Sequence, residues 1–250
     1  QPYLFMKHLV LNILLFSAHF VFSQSIDNTF GINNNGYVIN NFSSGVDVAH
    51  SVTLQTDGKI VVAGTSNGRL IIARYNADGS FDTSFGTNGS VVSQIVFSQG
   101  WATVVTQADN KIVVCATDNY KPVVARFNTD GTLDQSFGTA GIRQIVVANI
   151  ETSNIPSMLI DQTGKIVLFG KKPGNVSNPY ALFLLRLNSD GTNDTTFGPN
   201  QDGFSMLSTA FSYENGQVEN SNPREVVINS QGEFICQIDY TYQENSTYYM

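Results

Sequence analysis

Residues 46–54, VDVAHSVTL, put Val46, Val48, His50, Val52 and Leu54 on alternate positions, and a period of two marks a half-buried strand. A tight turn follows at Thr56-Asp57-Gly58, where glycine accepts a positive φ without a Cβ clash. The next run, KIVVAGTS (59–66), is apolar and β-branched and reads as a buried strand. Asn67-Gly68 is a strong hairpin dipeptide, LIIARYN (70–76) is a third strand, and Ala77-Asp78-Gly79 reverses the chain again. After FDTSFG (81–86), residues 89–96 predict one more strand, as do residues 36–42 earlier in the chain. The pattern predicts about four short antiparallel strands per period, with each interval from one Phe-Gly to the next folding as one sheet.

The same pattern returns along the chain. NADGSFDTSFG (76–86) reappears as NTDGTLDQSFG (128–138) and NSDGTNDTTFG (188–198), with a truncated copy, SIDNTFG, at 25–31. The anchors Phe30, Phe85, Phe137 and Phe197 lie 55, 52 and 60 residues apart. LQTDGKIVVAG (54–64) is matched by TQADNKIVVCA (106–116), IDQTGKIVLFG (160–170) and INSQGEFICQI (228–238). LIIARYN is matched by PVVARFN (122–128) and LFLLRLN (182–188). Three blocks in fixed order establish an internal repeat.

Four hairpin-linked strands per repeat is the content of a propeller blade. A parallel β-helix would need shorter rungs without regular hairpins, and the period of two excludes helical solenoids. The fold class is therefore all-β, a β-propeller of four-stranded antiparallel blades of about 55 residues. Three full repeats and a partial one fit in the chain, whereas propellers use about four to eight blades. The expectation is an incomplete propeller, the front part of a longer protein that is a monomer when complete.

Composition agrees with this reading. Charged residues make up 13%, glycines number 21, and 42% of residues are hydrophobic, enough for a core and contrary to disorder. A net charge of −7 and a pI near 4.8 argue against nucleic acid or anionic membrane as a partner. Met6 is the first plausible start, and Lys7 and His8 precede an apolar run at 9–22. Residues 6–23 read as a secretory signal peptide, with Val21 and Ser23 at the −3 and −1 positions of its cleavage site. Residues 24–250 are the repeats. The apolar run is short and holds Asn12, Ser17 and His19, so no transmembrane span is expected beyond the signal peptide. The protein is expected to be exported, secreted or at the cell surface. Cys115 and Cys236 lie in corresponding strands two repeats apart. Export would permit a disulfide, but that separation favours two buried thiols that never meet.

The blocks DGKIVVAG and ARYNADGSFDTSFG resemble the delta-60 repeat family of exported bacterial proteins, over residues 25–238. The resemblance implies β-propeller-like arrays in secreted or surface proteins, often with a C-terminal sorting module and without established enzymatic activity. The sequence departs from the pattern at Asn110, which replaces a turn glycine, and at EFICQI (233–238), a weak match. It departs again at the insertion KKPGNVSNPY (171–180). WD40 and kelch signatures are absent.

The residues that could carry chemistry are few. His50 has Asp47 and Ser51 nearby, but alternation puts those two on the opposite strand face, so a core or edge histidine is expected rather than a catalytic triad. The recurring N-x-D-G-x-x-D could suggest calcium. Laid on an EF-hand loop with Asp78 at position 5, however, Arg74 and Phe85 fall at ligand positions, and a hydrogen-bonded Asp-Gly turn is the expected role. Arg74, Arg126 and Arg186 recur inside apolar strands, eight residues before Asp82, Asp134 and Asp194. They could form an anion-binding ring, but the joint recurrence favours pairing within each repeat. Trp101, Tyr180, Tyr240, Tyr242 and Tyr248 could stack on sugars, although aromatics are ordinary strand formers. No Gly-rich phosphate loop, HExxH, CxxC or GxSxG is present. No catalytic, cofactor-binding or metal-ligating residue is assigned, and no cofactor is expected.

Two functions remain open on the sequence. One is a secreted or surface binding or adhesion scaffold that takes an extracellular glycan or protein ligand. The other is an extracellular propeller enzyme, a glycan lyase or hydrolase, with its site in the missing or channel-lining part. The insertion at 171–180 breaks the repeat and is the loop where ligand contact is first expected.

Overall fold

The computed structural model describes residues 26–96, 102–118, 121–145, 154–175, 178–207, 212–213, 216–244 and 247–249. The signal-peptide expectation for residues 6–23 and the candidate Trp101 lie outside the described residues. Among the described residues, sixteen strands form four separate four-stranded antiparallel sheets. Blade 1 holds β1 (Asp47–Leu54), β2 (Ile60–Ser66), β3 (Arg69–Tyr75) and β4 (Ser90–Val96). Blade 2 holds β5 (Thr103–Thr106), β6 (Ile112–Asp118), β7 (Lys121–Phe127) and β8 (Ile142–Gln144). Blade 3 holds β9 (Asn154–Ile160), β10 (Ile166–Asn175), β11 (Asn178–Leu187) and β12 (Phe204–Leu207). Blade 4 holds β13 (Ser212–Tyr213), β14 (Gly216–Ile228), β15 (Phe234–Glu244) and β16 (Thr247–Tyr249). The sheets pack in chain order, with β1 beside β5, β5 beside β9 and β9 beside β14.

The turns explain the regularity. Gly58 N–H bonds Gln55 O at 3.0 Å, and Asn110, Gly164 and Gly232 close the same turn in their blades at 2.9, 2.9 and 3.0 Å. Asn110 takes φ 62°, a left-handed conformation that asparagine tolerates, so the lost glycine leaves the turn unchanged. The asparagine side chain also ties blade 2 to blade 1, because Asn110 Oδ1 accepts from Thr56 N–H and hydroxyl, at 3.1 and 2.8 Å.

Two expectations are corrected. First, the blades are shifted by one strand from the predicted intervals. After Phe85-Gly86, Phe137-Gly138 and Phe197-Gly198 the chain folds back onto its own third strand, so that Val91 pairs with Ile72 and Val92 with Ile71. The cause is the turn that follows the anchor: Gly89 N–H bonds Phe85 O at 2.9 Å, and Arg74 N–H bonds Gly89 O at 2.9 Å. Residues 36–42 accordingly join no ladder among the described residues. Second, the described part of the insertion, residues 171–175 and 178–180, is strand rather than loop: Lys171 pairs with Leu182, Pro173 with Tyr180 and Asn175 with Asn178. It lengthens the β10–β11 hairpin.

The core lies between blades, because alternate residues of each inner strand face opposite neighbours. Val61, Ala63, Leu70, Ile72 and Phe85 of blade 1 meet Ile112, Val114, Val123, Ala125 and Phe127 of blade 2. Val113, Cys115, Val124 and Phe137 then meet Ile166, Leu168, Phe183, Leu185 and Leu187 of blade 3. Val167, Phe169, Leu182 and Leu184 meet Val226 and Phe234 of blade 4. The two cysteines are free and lie on opposite sides of the blade 3 sheet. Burial pushes the Cys115 thiol up to about 12, which makes it inert. No helix among the described residues is long and apolar enough to cross a membrane.

Candidate functional site

The recurring charged residues converge on one cluster in each of blades 1–3, built on the D-x-[ST]-F-G turn. In blade 1, Asp82 Oδ2 accepts from Arg74 Nε at 2.7 Å and from Lys59 Nζ at 2.6 Å. Its Oδ1 accepts from the Ser84 hydroxyl at 2.6 Å and the Ser84 N–H at 3.1 Å. Blade 2 repeats this with Asp134, Arg126 at 2.8 Å, Lys111 at 2.8 Å and Ser136. Blade 3 repeats it with Asp194, Arg186 at 2.6 Å, Lys165 at 2.8 Å and Thr196. All three expected Arg–Asp pairs are therefore present. Each guanidinium also lies over the anchor ring, with Cζ 4.6, 4.8 and 4.6 Å from the centroids of Phe85, Phe137 and Phe197, a cation–π contact.

Sequence reasoning missed two parts of the cluster. One is the lysine, whose signal was available: Lys59 and Lys111 each stand 23 residues before their aspartates, whereas the longer β10–β11 hairpin puts Lys165 29 residues before Asp194. The other is the reach into the next blade. Arg74 Nη1 donates to Thr129 O at 2.6 Å, and Arg126 Nη1 donates to Ser189 O. Beside them, Gly86 N–H bonds Asp130 O at 2.8 Å and Gly138 N–H bonds Asp190 O at 2.9 Å. The carbonyl acceptors belong to the N-x-D-G turns, so one repeat's anchor holds the next repeat's turn.

Electrostatics fits a lock. Burial by itself would raise the carboxyls of Asp82, Asp134 and Asp194, but the lysine and hydroxyl hydrogen bonds and the arginine charge outweigh it. Each is held well below the usual carboxylate range. Both oxygens of each carboxylate are already engaged, and each guanidinium is held by its carboxylate and anchor ring. A group arranged this way positions backbone, with its charges satisfied inside the cluster and by the adjoining turn.

Asp78, Asp130 and Asp190 each accept from the N–H and hydroxyl of the residue two on, Ser80, Thr132 and Thr192, which is the expected turn role. His50 sits at a bulge in β1, where the register shifts between Ala49 and Ser51. Its Nε2 lies 3.4 Å from the Thr65 hydroxyl. Ser51 Oγ accepts from Val104 N–H at 3.2 Å, and Asp47 Oδ2 accepts from Phe42 N–H at 2.7 Å. These contacts go to three different partners. Burial lowers the imidazole from its ordinary value. Tyr180 lies on β11, Tyr240 and Tyr242 on β15, and Tyr248 on β16. No group of three or more His, Cys, Asp or Glu side chains among the described residues is placed to hold a metal. A cavity of about 430 Å³ lies against blade 1, lined by Phe30, Val38, Phe42, Val62, Ile71 and Tyr75 among others.

Among solved structures, the chain is similar to a catalytically inactive virginiamycin B lyase from Staphylococcus aureus, at 13% identity and a TM-score of 0.46. That match covers 82% of this chain and 55% of the lyase. Drosophila Semaphorin 1a, extracellular domains 1-2, matches at 13% identity and a TM-score of 0.40, over 80% of this chain and 39% of the semaphorin. A fucose lectin from Kordia zhangzhouensis matches at 14% identity and a TM-score of 0.33, over 65% of this chain and 99% of the lectin. The chain thus spans about half or less of the first two. No curated protein matches it in sequence. The family model described as "Domain of unknown function (DUF5122) beta-propeller" matches residues 55–85, 107–137 and 162–197, the stretches that run from the second-strand turn to the Phe anchor. The chain is an all-β array of four-stranded β-propeller blades, and three stretches of it match the DUF5122 β-propeller model.

Proposed function

We propose that this chain is part of an exported, delta-60-type propeller protein that serves as a non-enzymatic binding or adhesion scaffold. Its ligand is an extracellular glycan or protein. One observation carries the reading: the charged residues that recur inside the apolar strands hold adjacent blades together, with both carboxylate oxygens of each cluster occupied. Their chemistry builds a rigid platform, and rigid repeat platforms present extended binding surfaces. The experiment is a screen of the purified chain on immobilised glycan and extracellular-protein arrays, with the retained ligand recovered for mass analysis. The expected result is saturable retention of a chemically unchanged ligand. Turnover of a glycan or peptide, abolished by His50→Ala in a folded variant, would overturn the reading.

A further inference from the structure

Residues 27–42 repeat the geometry of a blade's last strand without the blade. Phe30 N–H bonds Asp27 O at 3.1 Å, as Phe85 bonds Asp82, Phe137 bonds Asp134 and Phe197 bonds Asp194, each at 3.0 Å. Gly36 N–H bonds Phe30 O at 3.0 Å, as Gly203 bonds Phe197 at 3.0 Å. The left-handed positions correspond as well, with Asn34 at φ 53° and Gly36 at 81° against Gln201 at 55° and Gly203 at 86°. Thr29 N–H and hydroxyl bond Asp27 Oδ1 at 2.9 and 2.6 Å, the arrangement of Thr196 on Asp194. The segment also sits on blade 1 as β4 sits on blade 2. Gly31 N–H bonds Asp78 O at 2.8 Å, as Gly86 N–H bonds Asp130 O. Gly31 and Val38 crowd Gly79 as Gly86 and Val91 crowd Gly131.

Four partners that the other copies possess are missing here among the described residues. In blades 1–3 the aspartate Oδ2 holds a lysine and an arginine, whereas Asp27 Oδ2 holds neither. Backbone bonds run from Asp82 N–H to Arg74 O and from Arg74 N–H to Gly89 O, whereas Asp27 N–H and Gly36 O have no such partner. All four would come from one pair of strands, of β2 and β3 type, with Lys after the turn on the first and Arg on the second. The apolar surroundings agree: Ile39 is 83% exposed, and the 430 Å³ cavity opens beside Val38.

We propose that residues 27–42 are the outer strand of a composite blade, a docking edge for a Lys- and Arg-bearing strand pair from a further copy of this repeat. The lysines and arginines of blades 1–3 already hold their own carboxylates. Blade 4 carries Glu233 at the lysine position, and a like charge would repel Asp27. The occupant is therefore a repeat copy outside the four described blades. Its arginine would also reach Ala77 O, the equivalent of Thr129 O and Ser189 O.

The test titrates the full chain with a synthetic peptide of the sequence DGKIVVAGTSNGRLIIARYN, residues 57–76 of this protein. Binding is read by calorimetry, and amide protection at Asp27 by hydrogen exchange. The expected result is saturable one-to-one binding, protection of the Asp27 amide, and affinity at least about ten-fold weaker for Asp27→Asn. A peptide with Gln at both its Lys59 and Arg74 positions is expected to lose binding similarly. Circular dichroism of Asp27→Asn confirms that the variant is folded. No binding, or binding equal for wild type and Asp27→Asn, as docking on blade 4's exposed Ile235 would give, overturns the proposal.

Discussion

Asp134→Ala is expected to destabilise the chain by about 3–5 kcal/mol, the usual cost of removing one partner from a buried ion pair, seen as a lower denaturant midpoint. Asp134 is the best position for the test because its cluster is complete on both sides. It holds Lys111 and Arg126, and Arg126 grips Ser189 O of blade 3. Removing the carboxylate leaves the Arg126 side chain, 8% exposed, without its counter-charge. Asp194→Ala should cost less, because the Arg186 side chain is 21% exposed and water can take up part of its charge. The same cluster sets a pH dependence. The folded carboxyls are depressed, so their contribution is complete above the unfolded aspartate value of about 3.9 and is lost as pH falls below it. Acid unfolding below about pH 4 should therefore be steep in the wild type and shallower in Asp134→Ala. An unchanged midpoint and an unchanged acid limb would show that the cluster does not hold the blades.

Gly131→Ala is expected to cost about 3 kcal/mol, combining a left-handed conformation with overpacking. Gly131 has φ 91°, and a Cβ there would lie 2.8 Å from Val91 Cγ2, 3.0 Å from Gly86 N and 3.1 Å from Phe85 Cε2. Those atoms belong to blade 1, so the added methyl would drive two blades apart at the Gly86–Asp130 hydrogen bond. Gly58→Ala supplies the control. It has φ 83° with nothing within 4 Å of the new methyl, so only the conformational cost of about 1–2 kcal/mol remains. Equal midpoints for the two variants would contradict close apposition of blades at residue 131.

Much of this architecture could be read from the chain because blades 1–3 solve the same problem with the same residues. Alternation in residues 46–54 and the Asn-Gly and Asp-Gly turns located the strands, and the eight-residue spacing of Arg74 and Asp82 located the pair. The phase of the blade was not legible. Residues 36–42 and 89–96 carry the same strand pattern, and only the ladder between Val91 and Ile72 shows which sheet each side of Phe-Gly joins. Contacts between blades were hidden for a related reason: Thr129 O and Ser189 O are backbone atoms, and a backbone acceptor leaves no residue preference to read. The insertion at 171–180 misled because Pro173 and Gly174 are loop residues by propensity, whereas pairing along β10 and β11 overrides propensity. As for a site, the recurrence of Arg74, Arg126 and Arg186 made the ion pairs legible, and the structure adds the carbonyls of the next blade that Arg74 and Arg126 hold.

One repeat's arginine holds the next repeat's turn and so stacks the sheets as propeller blades. A crystal structure of residues 24–250 tests it most directly. The expected result is four separate antiparallel sheets, with Arg74 Nη1 on Thr129 O and Arg126 Nη1 on Ser189 O. Parallel rungs, or guanidinium groups turned to solvent away from those carbonyls, would contradict it.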